Sequence, residues 1–230
     1  MEKKINRLLI IPARSGSKRI KKKNIINFFG KPIIFYPIEK ALESKMFGKI
    51  HISSDSYEIL KICEKKKIFS DFLRPKRLSN DKVGLDKVII FVFEEFKKQN
   101  IIFDEYWCIL PCSPLITKSD LVSAAKIFKK NSKYPLMTFS KYPVPVDWAF
   151  KKKNDKFFSI NPNKIKINSQ NFPNYFYETG NIYIYSYKHL KNGYKNNFFS
   201  GYELKRENAI DIDDVDDLNF AKKLYSIKSK

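Results

Sequence analysis

A polar loop rich in small and cationic residues follows the first apolar run of the chain. Residues 8–11 are all apolar, and the loop after them contains Ala13, Arg14, Ser17 and Lys18. Small residues let backbone N–H groups approach a phosphate closely, and the cations add positive charge. The spacing matches neither the P-loop nor the G-x-G-x-x-G pattern of dinucleotide folds. The loop therefore indicates phosphate binding of another type, with a basic surface loop as the alternative.

Near the end of the chain, five aspartates fall within seven residues of a protein whose formal net charge is +21: Asp211, Asp213, Asp214, Asp216 and Asp217. Asp211 and Asp213 are alternate positions of an extended segment, so their side chains point to one face. Two carboxylates on one face can hold a hard divalent cation. The last three are better explained by the dipole of the following helix, whose N-terminus favours negative charge. We predict metal ligands at Asp211 and Asp213.

Covalent catalysis has weaker support. Cys112 and Ser113 are adjacent and suggest a nucleophile, but the chain contains two histidines, His51 and His189. Neither histidine has an orienting partner that the sequence identifies, and His51 lies among apolar residues of a predicted strand. A nucleophile needs such a base close by, so we expect no covalent intermediate.

The net charge of +21 by itself suggests nucleic-acid binding. Yet only six of the 45 basic residues are arginine, the residue that reads bases bidentately. The lysines are scattered along the whole chain and indicate solvated helix faces. A basic nucleic-acid-binding domain is therefore the less favoured alternative, and we predict no nucleic-acid partner. An anionic small-molecule substrate is compatible with the charge.

Length and composition predict a single globular domain over residues 1–230. The chain is 43% hydrophobic and 15% aromatic, which is enough for a packed core. It contains no run of about 20 apolar residues such as a membrane helix needs, and its N-terminus does not resemble a secretory signal. Three cysteines without zinc spacing favour a reducing compartment, so we expect a cytoplasmic protein without a membrane partner.

The elements that must position these residues alternate between strand and helix. Apolar runs and caps predict strands at 8–11, 49–53, 69–73 and 106–110, and helices that open at 30–32 or cover 57–66, 85–98 and 118–130. Such alternation predicts an α/β fold with a mainly parallel sheet. Ligands in these sheets bind at the carboxyl ends of the strands. Here those ends carry Arg14, Asp55, Arg74 and Cys112.

Residues 140–175 interrupt this alternation. Prolines are dense there, and short β-like runs at 148–151 and 156–160 predict a hairpin. Strand character returns at 181–185, and a final helix reaches residue 225. We refer to residues 140–175 as the excursion.

Several motifs share one order along nearly the whole chain: Ala13-Arg14-x-x-Ser17-Lys18 with Lys23-Asn24, Gly30-Lys31-Pro32, Ile52-Ser53-Ser54-Asp55-Ser56, Leu73-Arg74-Pro75, Leu78-Ser79-Asn80-Asp81, Pro111-Cys112-Ser113-Pro114-Leu115 and Ile210-Asp211-Ile212-Asp213. Together they resemble the cytidylyltransferases that activate nonulosonic acids, the acylneuraminate family. Within it, Arg19 and the segments 24–38, 142–146 and 169–173 are most similar to the branch that activates pseudaminic acid.

The resemblance implies a three-layer Rossmann-like nucleotidyltransferase that transfers CMP from CTP to a nonulosonic acid for surface glycan biosynthesis, with release of pyrophosphate. It implies the following residues for the nucleotide: Ala13, Arg14, Ser17, Lys18, Lys23, Asn24 and Arg74. Asp211 and Asp213 would bind Mg²⁺, and Arg14, Lys23 and Asp211 would be the catalytic residues. Ser113, Gln170 and Tyr183 would lie on the sugar side. The family also implies a homodimer in which the excursion reaches toward the other subunit.

Four departures from the family pattern lie on the sugar side. They are Leu110 in place of glutamine, Asn168 or Ser169 in place of arginine, Asp147-Trp148 in place of Gln-Arg, and the stretch from Tyr177 to Tyr183. The nucleotide half is therefore expected to be intact. The sugar acid is left open among pseudaminic acid, a close relative, and sialic, legionaminic or 3-deoxy-octulosonic acid.

Overall fold

The computed structural model describes residues 5–194 and 197–228. Its strands are Arg7–Pro12 (β1), Asn27–Phe28 (β2), Lys31–Pro32 (β3), Lys49–Ser53 (β4), Glu105–Ile109 (β5), Leu136–Lys141 (β6), Phe150–Lys153 (β7), Lys156–Ser159 (β8), Phe176–Ser186 (β9) and Ser200–Glu203 (β10). Its helices are Phe35–Ser44 (α1), Tyr57–Glu64 (α2), Leu85–Lys98 (α3), Lys118–Lys130 (α4), Tyr187–Asn192 (α5) and Val215–Lys228 (α6). Both ends of the predicted domain, including the first four residues considered for a signal peptide, fall outside the described residues.

A six-stranded sheet forms the centre of the molecule, in the order β10-β6-β9-β5-β1-β4. β1 pairs in parallel with β4 and β5, and β10 pairs in parallel with β6. β9 is antiparallel to both of its neighbours, β5 and β6. The predicted α/β class with a mainly parallel sheet is confirmed.

Side-chain alternation along β1 divides the core into two layers. Leu9 and Ile11 face a cluster that includes α1, α2 and α4, whereas Leu8 and Ile10 face α3. On α3, apolar residues three or four apart are buried against the sheet: Val88, Ile89, Val92, Phe93 and Phe96. Each such side chain contributes roughly 1.5–3 kcal/mol through burial. This packing makes the sheet a rigid platform for the loops at its carboxyl edge.

Two predicted elements are wrong. Residues 69–73 are not a strand, because the Ser70 hydroxyl, rather than a backbone N–H, donates to the Ile52 carbonyl (3.0 Å) beside the edge strand β4. Residues 30–32 do not open a helix. Lys31–Pro32 instead pairs with Asn27–Phe28 across a turn in which Gly30 has φ +85°, and α1 begins only at Phe35.

The excursion contains the predicted hairpin, formed by β7 and β8. Two strands of the central sheet, β6 and β10, were not predicted from the sequence. The final helix is present as α6. Within the described residues, no helix combines the length and apolarity required to cross a membrane.

Candidate active site

A cavity of about 200 Å³ opens where β1 and β5 end at the carboxyl edge of the sheet. Six predicted site residues line it: Arg14, Ser17, Lys23, Asn24, Arg74 and Asp211. The rest of its wall comprises Pro12, Val83, Leu85, Val88, Leu110, Pro111 and Cys112. The cavity thus combines cations and one carboxylate with an apolar wall formed by the start of α3 and the turn after β5. We call it the nucleotide cavity, after the prediction for these residues.

The polar loop after β1 is anchored to the end of β4. The Ala13 N–H donates to the Ser53 carbonyl (2.9 Å), and Ala13 itself is buried. Both the N–H and the hydroxyl of Ser15 donate to the Asp55 carboxylate, at 2.9 and 2.8 Å. These bonds hold the loop across the edge of the sheet, and the side chains of Arg14 and Ser17 reach the cavity.

Asn24 is buried, and both ends of its amide contact the protein. Its Nδ2 donates to the Arg14 carbonyl (2.9 Å), and the Cys112 thiol donates to its Oδ1 (3.6 Å). Asn24 therefore holds the polar loop after β1 against the turn that follows β5. Burial raises the pKa of the Cys112 thiol to about 12. The thiol stays protonated near neutral pH, which agrees with the expectation of no covalent catalysis.

Arg74 has unsatisfied donors in the cavity wall. Its side chain is buried, with only 3% of the residue exposed, and its Nε and Nη2 have no hydrogen-bond partner. Burial lowers the pKa of the guanidinium to about 10, so it is still charged at neutral pH. An unpaired buried cation costs free energy. Such a group is suited to a ligand with acceptor atoms.

Lys23 joins the polar loop after β1 to the segment 211–213. Its Nζ donates to the Ile212 carbonyl (2.7 Å) and contacts Asp213 Oδ1 (3.1 Å), while Arg19 Nη2 lies 2.8 Å from Asp213 Oδ2. Burial raises the pKa of Asp213, but the hydrogen bonds from Lys23 and Arg19 outweigh it and lower that pKa overall. The loop and the segment 211–213, far apart in sequence, therefore form one charged site.

Asp211 faces the cavity and is solvent-accessible through its mouth. Enclosure by the cavity wall raises its pKa, and the neighbouring Asp213 raises it further. Asp217 accepts hydrogen bonds from the backbone N–H groups of Asp213 (3.0 Å) and Asp214 (3.1 Å). Asp214 in turn accepts from the Asp217 N–H (2.9 Å) at the start of α6. Asp216 and Asp217 thus lie in the first turn of α6, at the helix N-terminus where the dipole was predicted to favour them, and Asp214 adds a hydrogen bond there.

Asp81 was missed as a candidate, although the motif that contains it was noticed. Its carboxylate lies 2.5 Å from Arg14 Nη1 and 2.6 Å from Lys18 Nζ. Hydrogen bonds from Lys18 and Arg14 lower the pKa of this exposed carboxyl. The sequence did offer a signal: Asp81 is the acidic residue of the motif at 78–81, which belongs to the same resemblance as the cationic loop.

The three residues predicted on the sugar side lie in different surroundings. Ser113 is buried, and its hydroxyl accepts a hydrogen bond from Asn181 (3.0 Å). Gln170 lines a separate cavity of about 330 Å³ within the excursion, beside Tyr142 and Phe172. Tyr183 lies on β9 and donates to Glu178. None of the three lines the nucleotide cavity.

Comparison with known proteins agrees with this architecture. A solved structure of CMP:2-keto-3-deoxy-manno-octonic acid synthetase complexed with CTP superimposes with a TM-score of 0.70, covering 97% of this chain and 99% of the other at 16% identity. At that identity the likeness concerns the fold alone. This chain therefore shares the α/β fold of that synthetase.

The chain belongs to the cytidylyltransferase family, whose model matches residues 8–227. It is 34% identical to the pseudaminic acid cytidylyltransferase of Campylobacter jejuni over 226 residues, which is 96% of each chain. It is also 31% identical to the N-acylneuraminate cytidylyltransferase of Escherichia coli, over 97% of this chain and 53% of that protein. The family predicted from the motifs is confirmed, and the protein is a nucleotidyltransferase.

Proposed function

We propose that the protein transfers CMP from CTP to the anomeric hydroxyl of a nonulosonic acid, either pseudaminic acid or a close relative, and releases pyrophosphate. The observation that carries this proposal is the 34% identity to a pseudaminic acid cytidylyltransferase over 96% of both chains. The gathering of six predicted residues around one cavity supports it.

In this proposal the triphosphate of CTP binds the loop after β1. Arg14, Ser17, Lys18 and Lys23 supply cationic and hydroxyl contacts, and the backbone at Ala13 completes the loop. Arg14 and Lys18 are paired with Asp81, so CTP must compete with that carboxylate for both. The unpartnered N–H groups of Arg74 support a contact with the acceptor atoms of the cytosine or ribose.

The donor set also fits Mg²⁺. The described residues contain no group of three or more side chains suited to a metal ion, but Mg²⁺ commonly binds through one or two carboxylates and takes its other oxygens from phosphate and water. Asp211 would be the primary ligand, because Asp213 is also paired with Lys23 and Arg19. When bound, the ion would neutralise phosphate charge and lower the pKa of a coordinated hydroxyl.

Catalysis by these residues needs alignment and charge stabilisation rather than a protein nucleophile. The sugar hydroxyl attacks the α-phosphorus and loses its proton to water, while the bond between the α-phosphorus and pyrophosphate breaks and pyrophosphate leaves. Arg14 and Lys23 stabilise the negative charge that builds up on the phosphate oxygens. Asp211 would hold Mg²⁺ through its carboxylate. This assignment matches the charges that converge on the cavity.

The excursion supports a homodimer. Ten large apolar side chains between residues 140 and 175 are exposed: Tyr142, Val144, Val146, Phe150, Phe157, Phe158, Ile160, Ile165, Ile167 and Tyr175. So much exposed apolar surface in one segment is typical of a protein contact.

All three cysteines are free and buried, which supports a cytoplasmic location.

A direct assay tests the function. Purified protein is incubated with CTP, Mg²⁺ and, one at a time, pseudaminic, sialic, legionaminic and 3-deoxy-octulosonic acids, and pyrophosphate and CMP-sugar are measured. We expect turnover with CTP but not with UTP or GTP, and the highest kcat/KM with pseudaminic acid or a close relative. Absence of pyrophosphate with every sugar acid would overturn the proposal.

A further inference from the structure

Strand β9 contains a large bulge opposite β6. Met137 pairs with Tyr183, and Phe139 pairs with Glu178, so β6 advances two residues while β9 advances five. β9 therefore carries three extra residues in this stretch. Gly180 lies inside the bulge with φ +71°, a conformation that favours glycine. Bulges of this kind re-aim side chains.

The bulge brings Glu178 and Tyr183 together. In a regular strand, residues five apart point to opposite faces of the sheet. The bulge adds three residues, an odd number, so Glu178 and Tyr183 instead point to the same face of the sheet. There the Tyr183 hydroxyl donates a hydrogen bond to Glu178 Oε1. Glu178 is exposed, whereas Tyr183 is half-buried. An accessible carboxylate is thus held in place by a packed neighbour.

Side-chain contacts inside the sheet hold the bulge in this form. The Thr179 hydroxyl donates to Thr138 Oγ1 (2.8 Å), and Thr179 is buried. Asn181 Nδ2 donates to the Ser113 hydroxyl (3.0 Å), just after the turn that closes the nucleotide cavity. Glu178 therefore projects from a rigid backbone rather than from a mobile loop.

This arrangement lies beside the nucleotide cavity. A Cβ placed at Gly180 would be 3.5 Å from Leu110 Cδ1 and 3.9 Å from the Tyr183 hydroxyl oxygen. Leu110 is part of the cavity wall, and its backbone N–H donates to the Asn181 carbonyl (3.1 Å). The Tyr183 hydroxyl and the Leu110 side chain of the cavity wall therefore both lie within 4 Å of one point at Gly180.

We propose that Glu178, fixed by Tyr183, determines sugar specificity by accepting hydrogen bonds from hydroxyl or acylamino N–H groups of the bound sugar acid. The inference rests on the proposed function and deepens it. It assigns to Glu178, on the β9 bulge, a contact with the part of the sugar that lies away from the sugar's carboxylate.

Charge supports this orientation of the sugar. A nonulosonic acid carries one carboxylate, which Glu178 repels, so the sugar is expected to bind with that carboxylate pointing away from the β9 bulge. An ionised carboxylate is only an acceptor, so Glu178 favours a substrate group that donates. Burial raises the pKa of the Tyr183 phenol, and the hydrogen bond to Glu178 raises it further. The phenol therefore stays protonated and continues to donate to Glu178.

The test compares Glu178→Gln and Tyr183→Phe with the wild type, and uses Glu64→Gln, an exposed glutamate on α2, as the matched control. The KM for the sugar acid is measured at saturating CTP, and the KM for CTP at saturating sugar acid. Glu178→Gln keeps the size of the side chain but replaces one acceptor by a donor. We expect the KM for the sugar acid to rise about tenfold in Glu178→Gln and about threefold in Tyr183→Phe.

The KM for CTP should stay within about twofold in both variants, and Glu64→Gln should match the wild type. The ranking of sugar acids by kcat/KM should also change in Glu178→Gln, which a purely structural role would not produce. An active Glu178→Gln enzyme with unchanged sugar KM and ranking would overturn the inference alone. Equal losses for CTP and sugar, together with a lower Tm, would also overturn it. A wild type inactive with every sugar acid would overturn the proposed function, and this inference with it.

Discussion

The nucleotide cavity and the excursion leave different groups unsatisfied. In the cavity, buried Arg74 has two N–H-bearing nitrogens without a partner, while the surrounding loop is fixed by hydrogen bonds to Ser53 at the end of β4 and to Asp55 just after it. In the excursion, Asp147 Oδ1 pairs with Lys164 at 2.8 Å although Asp147 Oδ2 lacks a partner, and what is mainly left uncovered is apolar, as at the exposed Phe157. The first region suits a small polar ligand, and the second suits an apolar surface.

The difference follows from the backbone that supports each region. The cavity is built on strand ends and on the start of α3, which packing holds rigid. Sites on such elements hold charges in place before the ligand arrives. The excursion is a two-stranded hairpin with short 3₁₀ turns, and a lone hairpin buries little apolar surface of its own. Its stability and its role are therefore expected to depend on a contact outside this chain.

The strongest test of the cavity is Asp211→Ala. Loss of the cavity carboxylate should reduce kcat by about 100- to 1,000-fold, because charge stabilisation in the transition state is lost. The measurement is pyrophosphate release at saturating substrates. Asp216→Ala, an exposed aspartate at the start of α6, is the control and should retain nearly full activity. A kcat for Asp211→Ala above half that of the wild type would contradict the metal assignment.

Arg74→Met separates ligand binding from stability within the same cavity. The Kd for CTP should rise about 10- to 100-fold, since charge-assisted hydrogen bonds to the nucleotide are lost. The Tm of the free protein should not fall, because the variant removes a buried charge two of whose nitrogens lack hydrogen-bond partners. Calorimetric titration with CTP and thermal unfolding measure the two effects. Arg77→Met, at an exposed position, controls for loss of charge. Unchanged CTP affinity would show that the orphaned guanidinium does not contact the nucleotide.

The excursion is tested by the double variant Phe157→Ser and Phe158→Ser. Loss of two exposed aromatic side chains should shift the protein from dimer to monomer in light scattering, because such residues contribute most of the energy of an interface. Turnover should fall about tenfold if the partner's excursion completes the sugar side. Phe69→Ser, an exposed phenylalanine outside the excursion, is the control. A wild type that is monomeric at micromolar concentration would refute the proposed dimer.

The smallest effect is expected at Asp81. Asp81→Asn releases Arg14 and Lys18 from their ion pairs, so the KM for CTP should fall about twofold at low salt. The gain should disappear near 0.5 M salt, where exposed charges are screened. Asp155→Asn, in the excursion hairpin, is the control and should leave the KM for CTP unchanged. An increase in the KM for CTP would mean that Asp81 assists nucleotide binding rather than competing with it.

Elements whose signals are local were predictable. The apolar run at 8–11 and the apolar spacing on α3 each depend on neighbouring residues, and the structure contains both elements. The run at 69–73 has similar local character, yet it is not a strand. Strand formation requires a partner that supplies main-chain hydrogen bonds, and the sequence does not show which edges are free.

The sequence by itself determined the α/β class, the family, and the types of charge that the site carries. It could do so because periodicity, loop chemistry and motif order are properties of short stretches. Only the tertiary structure decided that Lys23 contacts Asp213, that Arg74 is buried without partners for two of its nitrogens, and that a bulge turns Glu178 toward Tyr183. These facts depend on contacts between residues far apart in the chain and on strand register, which packing of the whole molecule sets.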